Sequence, residues 1–199
     1  LNLKAGFTPN ATDEYVLSYT RQAGAKGSPY HVRDNVRGIT HVGGWQNNWT
    51  WPYWNVSSTS FNSHTEIGQA SYVRTKAYYN TFDNLLSAFD AANFSSQSVR
   101  GFDSYYHDYA YGFSIEAGTE LIPMNTLKGS IHYRRDVHRR WQHNSPDVVP
   151  ADISPLQRRT EDTWSVAVEN TFHVTDTIDL VGGLSYDWYK TLQAEFFSG

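Results

Sequence analysis

The sequence predicts an all-β fold: a segment of an antiparallel transmembrane β-barrel, with about eight long strands, short periplasmic turns and long extracellular loops. Three observations predict it. Apolar and polar residues alternate with a period of two along runs of about ten residues, long enough for a tilted strand to cross a bilayer. Short turns and long loops alternate strictly along the chain, so each kind of connection collects at its own edge. Aromatic residues make up 16% of the chain, with seven Trp and fourteen Tyr, and many stand near the ends of the apolar faces.

The clearest element is the hairpin of residues 108–135. In its first arm Tyr109, Tyr111, Phe113, Ile115 and Ala117 share one face, and Asp108, Ala110, Gly112, Ser114, Glu116 and Gly118 share the other. In its second arm Leu127, Gly129, Ile131 and Tyr133 oppose Lys128, Ser130, His132 and Arg134. Between the arms, Pro123 fixes φ and cannot continue a ladder, so the chain reverses at 122–125.

The remaining elements follow in order. Residues 2–8 alternate with Leu3, Ala5 and Phe7 on one side. A turn at 9–13 leads to 14–22, whose apolar face carries Tyr15, Leu17 and Tyr19. Residues 23–55 read as a first long loop, and 57–67 as a weak strand marked by Phe61 and Ile67. After a turn at 68–70, the strand 71–83 sets Val73, Thr75, Ala77, Tyr79 and Thr81 against Tyr72, Arg74, Lys76, Tyr78 and Asn80. Arg74 and Lys76 on alternate positions suit a water-filled lumen better than a protein core. Residues 84–106 and 140–160 read as the second and third long loops. The strand 161–173 carries Trp164, Val166, Val168 and Phe172 on one face. A turn at 174–177 leads to the strand 178–189, with Leu180, Leu184, Tyr186 and Trp188.

Composition narrows the function classes. With no cysteine, disulfides and thiolate metal sites are excluded. No stretch approaches the roughly 20 apolar residues of a membrane helix. A formal charge of −4 without a basic tract argues against nucleic acid as the main partner. The chain opens at Leu1 within a strand and without an n-region or h-region, and so reads as a fragment.

Four stretches resemble the barrel of TonB-dependent outer-membrane receptors: YVRTKAYYNTFDN (72–84), AYGFSIEAGTELIPMNTLKGSIHYRRDVH (110–138), EDTWSVAVENTF (161–172) and DLVGGLSYDWY (179–189). The resemblance covers nearly the whole chain as a pattern, without a short diagnostic motif. It implies a barrel of roughly 22 strands closed around a plug domain, of which this chain is an open piece in the bacterial outer membrane. It also implies uptake of a scarce nutrient such as an iron–siderophore complex, with the plug, TonB, outer-membrane lipid and lipopolysaccharide as partners. The chain carries no TonB box, no plug and no haem-receptor motif, so no functional residue transfers by motif. On this reading the sheet is open, with unpaired edges at 1–8 and 178–189.

Candidate site residues come from the predicted loops and the rim beside them. Trp45, Trp49, Trp51, Tyr53 and Trp54 in the first, with Tyr105 and Tyr106 in the second, form an aromatic set suited to stacking on a small chelate. The plainer account has some of these rings folding the loop and others forming an interfacial girdle. Arg134, Arg135, Arg139 and Arg140 form a basic patch at the expected rim, with Arg158 and Arg159 across the third loop. They suit lipopolysaccharide phosphates or an anionic chelate, against the simpler expectation of a solvated rim paired with Asp136, Glu161 and Asp162. The eight histidines include no ligand-spaced pair on a predicted face, so neither a metal nor a cofactor is expected. No nucleophile elbow, phosphate loop or Ser/His/Asp constellation is present, and an enzyme is not expected. The sequons at Asn10, Asn48, Asn55 and Asn93 are chance matches in an outer-membrane protein.

Two rival readings remain at this level. One is a complete eight-stranded barrel with a structural or adhesive role. The other is a soluble β-sandwich that binds glycans through Trp and buries its apolar faces between two sheets.

Overall fold

A computed structural model of the chain describes residues 1–28, 48–91 and 93–197. They form one antiparallel sheet, open at both edges. The strands are β1 (Asn2–Phe7), β2 (Glu14–Gln22), β3 (Lys26–Gly27), β4 (Trp49–Ile67), β5 (Ser71–Ala88), β6 (Phe102–Thr119), β7 (Asn125–Asn144), β8 (Asp152–Ile153), β9 (Gln157–Thr175) and β10 (Ile178–Ala194). Their order is β1-β2-β4-β5-β6-β7-β9-β10, with the two-residue strands β3 and β8 attached to β4 and β7. The sheet is therefore a pure meander, and β1 and β10 do not meet. Among the described residues there is one sheet and no second sheet packed on it.

The predicted strands recur, but several are longer than the alternation indicated. The arms of the central hairpin hold 18 and 20 residues rather than about ten. The first long loop ends before Trp49, the second contracts to 89–101 and the third to 145–156. Alternation failed at these ends because both faces carry polar and aromatic groups there. Backbone pairing continues regardless, since every residue except proline supplies one donor and one acceptor. Pro52 is tolerated in β4 because the register shifts between Thr50 and Tyr53, a bulge that spares the ladder a missing donor.

Register sorts the side chains into two faces. Ile115 pairs with Thr75 and Ile131, and Ile131 with Val166. This apolar face continues through Leu184, and its Leu180 and Leu184 are 62% and 79% exposed. On the other face Glu116 pairs with Arg74 and Ser130, and Lys128 with Glu169. The buried hydrophobic residues among those described are Val16, Ala88 and Val137 alone, so these residues enclose no extended apolar core.

The turns explain themselves locally. Gly68 takes a φ of 69° between β4 and β5, a conformation that costs an L-residue strain. At the predicted reversal, the Asn125 amide donates to the Ile122 carbonyl at 3.0 Å, and Met124 takes a φ of 61° after Pro123.

Candidate functional site

Two features stand out, one on each face. On the polar face, β4, β5, β6 and β7 border a hollow of about 400 Å³. It is lined by Val56, Ser58, Asn80, Phe82, Asp108, Ala110, Arg134, Asp136 and His138. Most of its polar groups are pre-paired. Ser58 Oγ donates to Asn80 Oδ1 at 2.7 Å, and Arg134 Nη2 donates to Asp136 Oδ1 at 2.6 Å. His138 Nδ1 lies 2.9 Å from the Asp108 carboxylate. Such a surface combines oriented donors and acceptors with one aromatic wall, which suits a polar ligand of small-molecule size.

Phe82 connects this hollow to an aromatic ladder. Its ring lies 4.7 Å from Trp54, Trp54 lies 6.1 Å from Trp51, and Trp51 lies 6.4 Å from Trp49. Lys26 of β3 sets its ammonium 3.3 Å from the Trp54 ring centre and 4.5 Å from Trp51. This cation–π clamp holds β3 against β4. Tyr106 belongs to the same face, 5.8 Å from the His138 ring.

The structure thus divides the predicted aromatic set. Trp49, Trp51 and Trp54 come together, but on a strand and not on a loop. Tyr53 and Tyr105 lie in strands too, on the opposite face. There Tyr105 stacks on Trp141 at 4.9 Å, and His107, which pairs with Asp83, also stacks on that ring at 5.4 Å. Trp45 lies outside the described residues. Sequence reading missed Phe82 and Lys26. Phe82 had a signal, since it continues the polar positions Tyr78 and Asn80 with a bulky apolar ring. Lys26 had none, because its partner strand is remote in sequence.

The basic patch, expected at the rim, is divided as well. Arg134, Arg135, Arg139 and Arg140 all lie within β7, while Arg158 and Arg159 lie within β9. Alternation sends Arg134 and Arg140 to the polar face and Arg135 and Arg139 to the apolar one. The pairing with acids foreseen as the simpler expectation is found for two of them. Arg135 donates to both Asp162 oxygens, at 2.6 and 2.7 Å, and Arg134 pairs with Asp136.

On the apolar face a belt of rings crosses five strands. It runs Tyr79 to Tyr109 (6.0 Å), Tyr111 (6.5 Å), Tyr133 (6.4 Å), Trp164 (4.5 Å), Trp188 (6.0 Å) and Tyr186 (5.8 Å). Its members lie nearer mid-strand than predicted, because the strands extend beyond them. A second aromatic level stands at the short-turn edge, where Phe7 stacks on Tyr15 at 6.2 Å. Among the described residues no group of three or more His, Asp or Glu side chains is placed to hold a metal ion.

No family model, curated protein or solved structure matches this chain.

Proposed function

We propose that this chain is a section of an outer-membrane β-barrel whose apolar face meets lipid and whose polar face lines a ligand path. The observation that carries the reading is the belt from Tyr79 to Trp188, on the same face as the exposed Leu180, Leu184 and Ile115. Tyr and Trp rings favour the headgroup level, where an apolar body and a polar tip are both satisfied. On β9, eight residues separate Trp164 in the belt from Phe172 near the short turn. That is about 27 Å along the strand and about 20 Å when tilted by 45°. An apolar band of a transmembrane barrel is about 25 Å tall.

Within that reading, the chain serves a nutrient receptor of the TonB-dependent kind. The hollow and the ladder Trp49, Trp51, Trp54 and Phe82 supply polar anchoring and stacking for a small chelate such as an iron–siderophore complex. Tyr53 and Tyr105, on the other face, drop out of the ligand set. A plug domain and TonB are the partners this mechanism requires. The unpaired edges of β1 and β10 favour a barrel completed by further strands over a closed eight-stranded one.

Two single-tryptophan variants test the membrane reading, one keeping Trp164 and the other Trp54, each reconstituted in vesicles of brominated phosphatidylcholine. Trp164 should be strongly quenched and Trp54 little affected. Equal quenching of the two, or a chain that stays monomeric in water without detergent, overturns the proposal.

A further inference from the structure

At the aromatic ladder the chain holds one of its own cations in a corner of two rings. Trp51 and Trp54 meet at 78° with their ring centres 6.1 Å apart, so the two indoles stand as walls and not as a stack. The Lys26 ammonium lies in the angle between them, 3.3 Å from the Trp54 centre and 4.5 Å from the Trp51 centre. Indole is the aromatic side chain that attracts a cation most strongly, and two indole faces at an angle form a cation site. The backbone around Lys26 is fixed without help from its side chain. Lys26 pairs with Trp51 and Gly27 with Thr50. The Trp54 amide donates to the Gly24 carbonyl at 2.7 Å, and the Ser28 amide donates to the Trp49 carbonyl at 2.9 Å. Lys26 is itself exposed, so its side chain can swing into water while the strand stays in place.

The charged groups around the ladder are engaged elsewhere. On the same face Asp108 is held by His138 and Asp136 by Arg134, with Arg159 and Glu161 of β9 opposite His138 and Asp136. Arg140 ends the row Trp54, Asn84, Tyr106, Arg140, three strands away, and donates to Gln142 at 3.0 Å. Asp83 with His107, and Asp103 with Gln97, belong to the other face. A cation in the corner therefore meets rings and not a carboxylate. Rings favour cations that give up little water. A lysine ammonium is compact and strongly hydrated, whereas a quaternary ammonium spreads its charge over methyl groups and enters such a site at lower cost. Phe82, 4.7 Å from Trp54, leads from the corner to the hollow, where the rest of such a molecule has room.

We infer that the Trp51–Trp54 corner is a binding site for an alkylated, quaternary-type ammonium group, and that Lys26 is an internal occupant which such a ligand displaces. The inference rests on the reading of the ladder as the wall of a ligand path. It narrows the ligand to one whose leading end carries an organic cation.

The test uses the chain in maltoside micelles, whose headgroup carries no ammonium, titrated calorimetrically with choline. Lys26→Ala should bind choline at least tenfold more tightly than the unaltered chain, and Lys26→Ser should show the same gain. In the Lys26→Ala background, Trp54→Leu should remove the gain and Trp54→Phe, a smaller ring, should keep part of it. The neutral alcohol in which carbon replaces the quaternary nitrogen should bind at least tenfold more weakly than choline. Lys76→Ala removes a cation from the same face, beside Tyr78 and away from the corner, and should leave choline binding unchanged. Far-UV circular dichroism checks that each variant keeps its strands. Unaltered choline affinity in both Lys26 variants overturns the inference. So does a gain that survives Trp54→Leu, an equal gain in Lys76→Ala, or equal affinity for the neutral alcohol. If Trp164 is quenched in bilayers and the Lys26 variants gain nothing, this inference alone falls. If Trp164 and Trp54 are quenched alike and the titrations succeed, the membrane reading falls and the cation site stands.

Discussion

At Asp90 a single carboxylate organises a whole connection. Its oxygens accept the backbone amides of Ser98, Arg100 and Gly101, at 2.7, 2.7 and 2.9 Å, and the Ser96 hydroxyl at 2.8 Å. These donors favour the ionised form and hold its pKa below the ordinary carboxylate value, the Arg100 amide most of all. A depressed folded-state pKa stabilises above the unfolded value and is lost as pH falls through the folded one. The 89–101 connection should therefore resist protease at neutral pH and become cleavable in strong acid, while Asp90→Asn should make it cleavable several-fold faster at pH 7. Cleavage unchanged in Asp90→Asn would show that the carboxylate does not order this segment. Gly112 poses a different demand. A Cβ there would meet the Tyr133 carbonyl oxygen in hard contact, and the Tyr78 hydroxyl at 2.7 Å. Backbone cannot yield as a side-chain tip can, so Gly112→Ala should cost about 1–3 kcal/mol in urea unfolding from detergent. Gly129→Ala, whose nearest neighbour would be the Ala167 carbonyl at 3.9 Å, should stay within about 0.5 kcal/mol.

The elements owe their length to pairing rather than to hydrophobicity. β7 continues for ten residues past Arg134, through His138, Arg140 and His143, because β6 and β9 flank it and β8 adds two further partners. Its side chains still alternate, and the alternation can be measured. With no native cysteine, single cysteines along β7 report their surroundings without background. In bilayers, Ser130→Cys and His132→Cys should react quickly with a water-soluble maleimide, and Gly129→Cys and Ile131→Cys at least tenfold more slowly. Uniform reactivity along the strand would contradict a lipid-facing side. At Asp162 and Arg135 the alternation places an ion pair on the apolar face. The bidentate geometry and the Tyr133 hydroxyl lower the cost of that position.

For the whole molecule, the decisive quantity is reach. Eighteen strand residues extend about 60 Å, and about 42 Å when tilted by 45°, against a hydrocarbon core of about 30 Å. On the proposed membrane reading, the excess belongs to the long-connection side of the belt. Buried polar residues such as Asn84, Ser87, Ser104 and Thr160 gather there and not in the apolar band. The sheet thus has two regimes, a lower one with exposed aliphatic side chains and an upper one with a polar, tightly paired surface. The edges tell the same story. β10 is 17 residues long, its far edge is unpaired, and its apolar side chains are exposed, which in water invites association with other strands. Lipid on one side and neighbouring strands at both edges would satisfy all of these groups.

The sequence by itself determined the all-β class, the alternation of short and long connections, the eight principal strands and the face on which each central residue stands. These follow from the period-two pattern and from turn residues such as Pro123 and Gly68, which act locally. Tertiary structure alone decided how far the strands run, since ladders depend on backbone groups that every sequence carries. It also decided the two site assignments. One bulge at Pro52 keeps Trp51 beside Trp54 and sends Tyr53 to the other face. Register between β7 and β9 brings Arg139 next to Arg158, nineteen positions along the chain, and separates both from Arg134 and Arg140. Partnership between strands is a long-range choice, fixed by where the chain folds back, and residue spacing within one strand does not contain it.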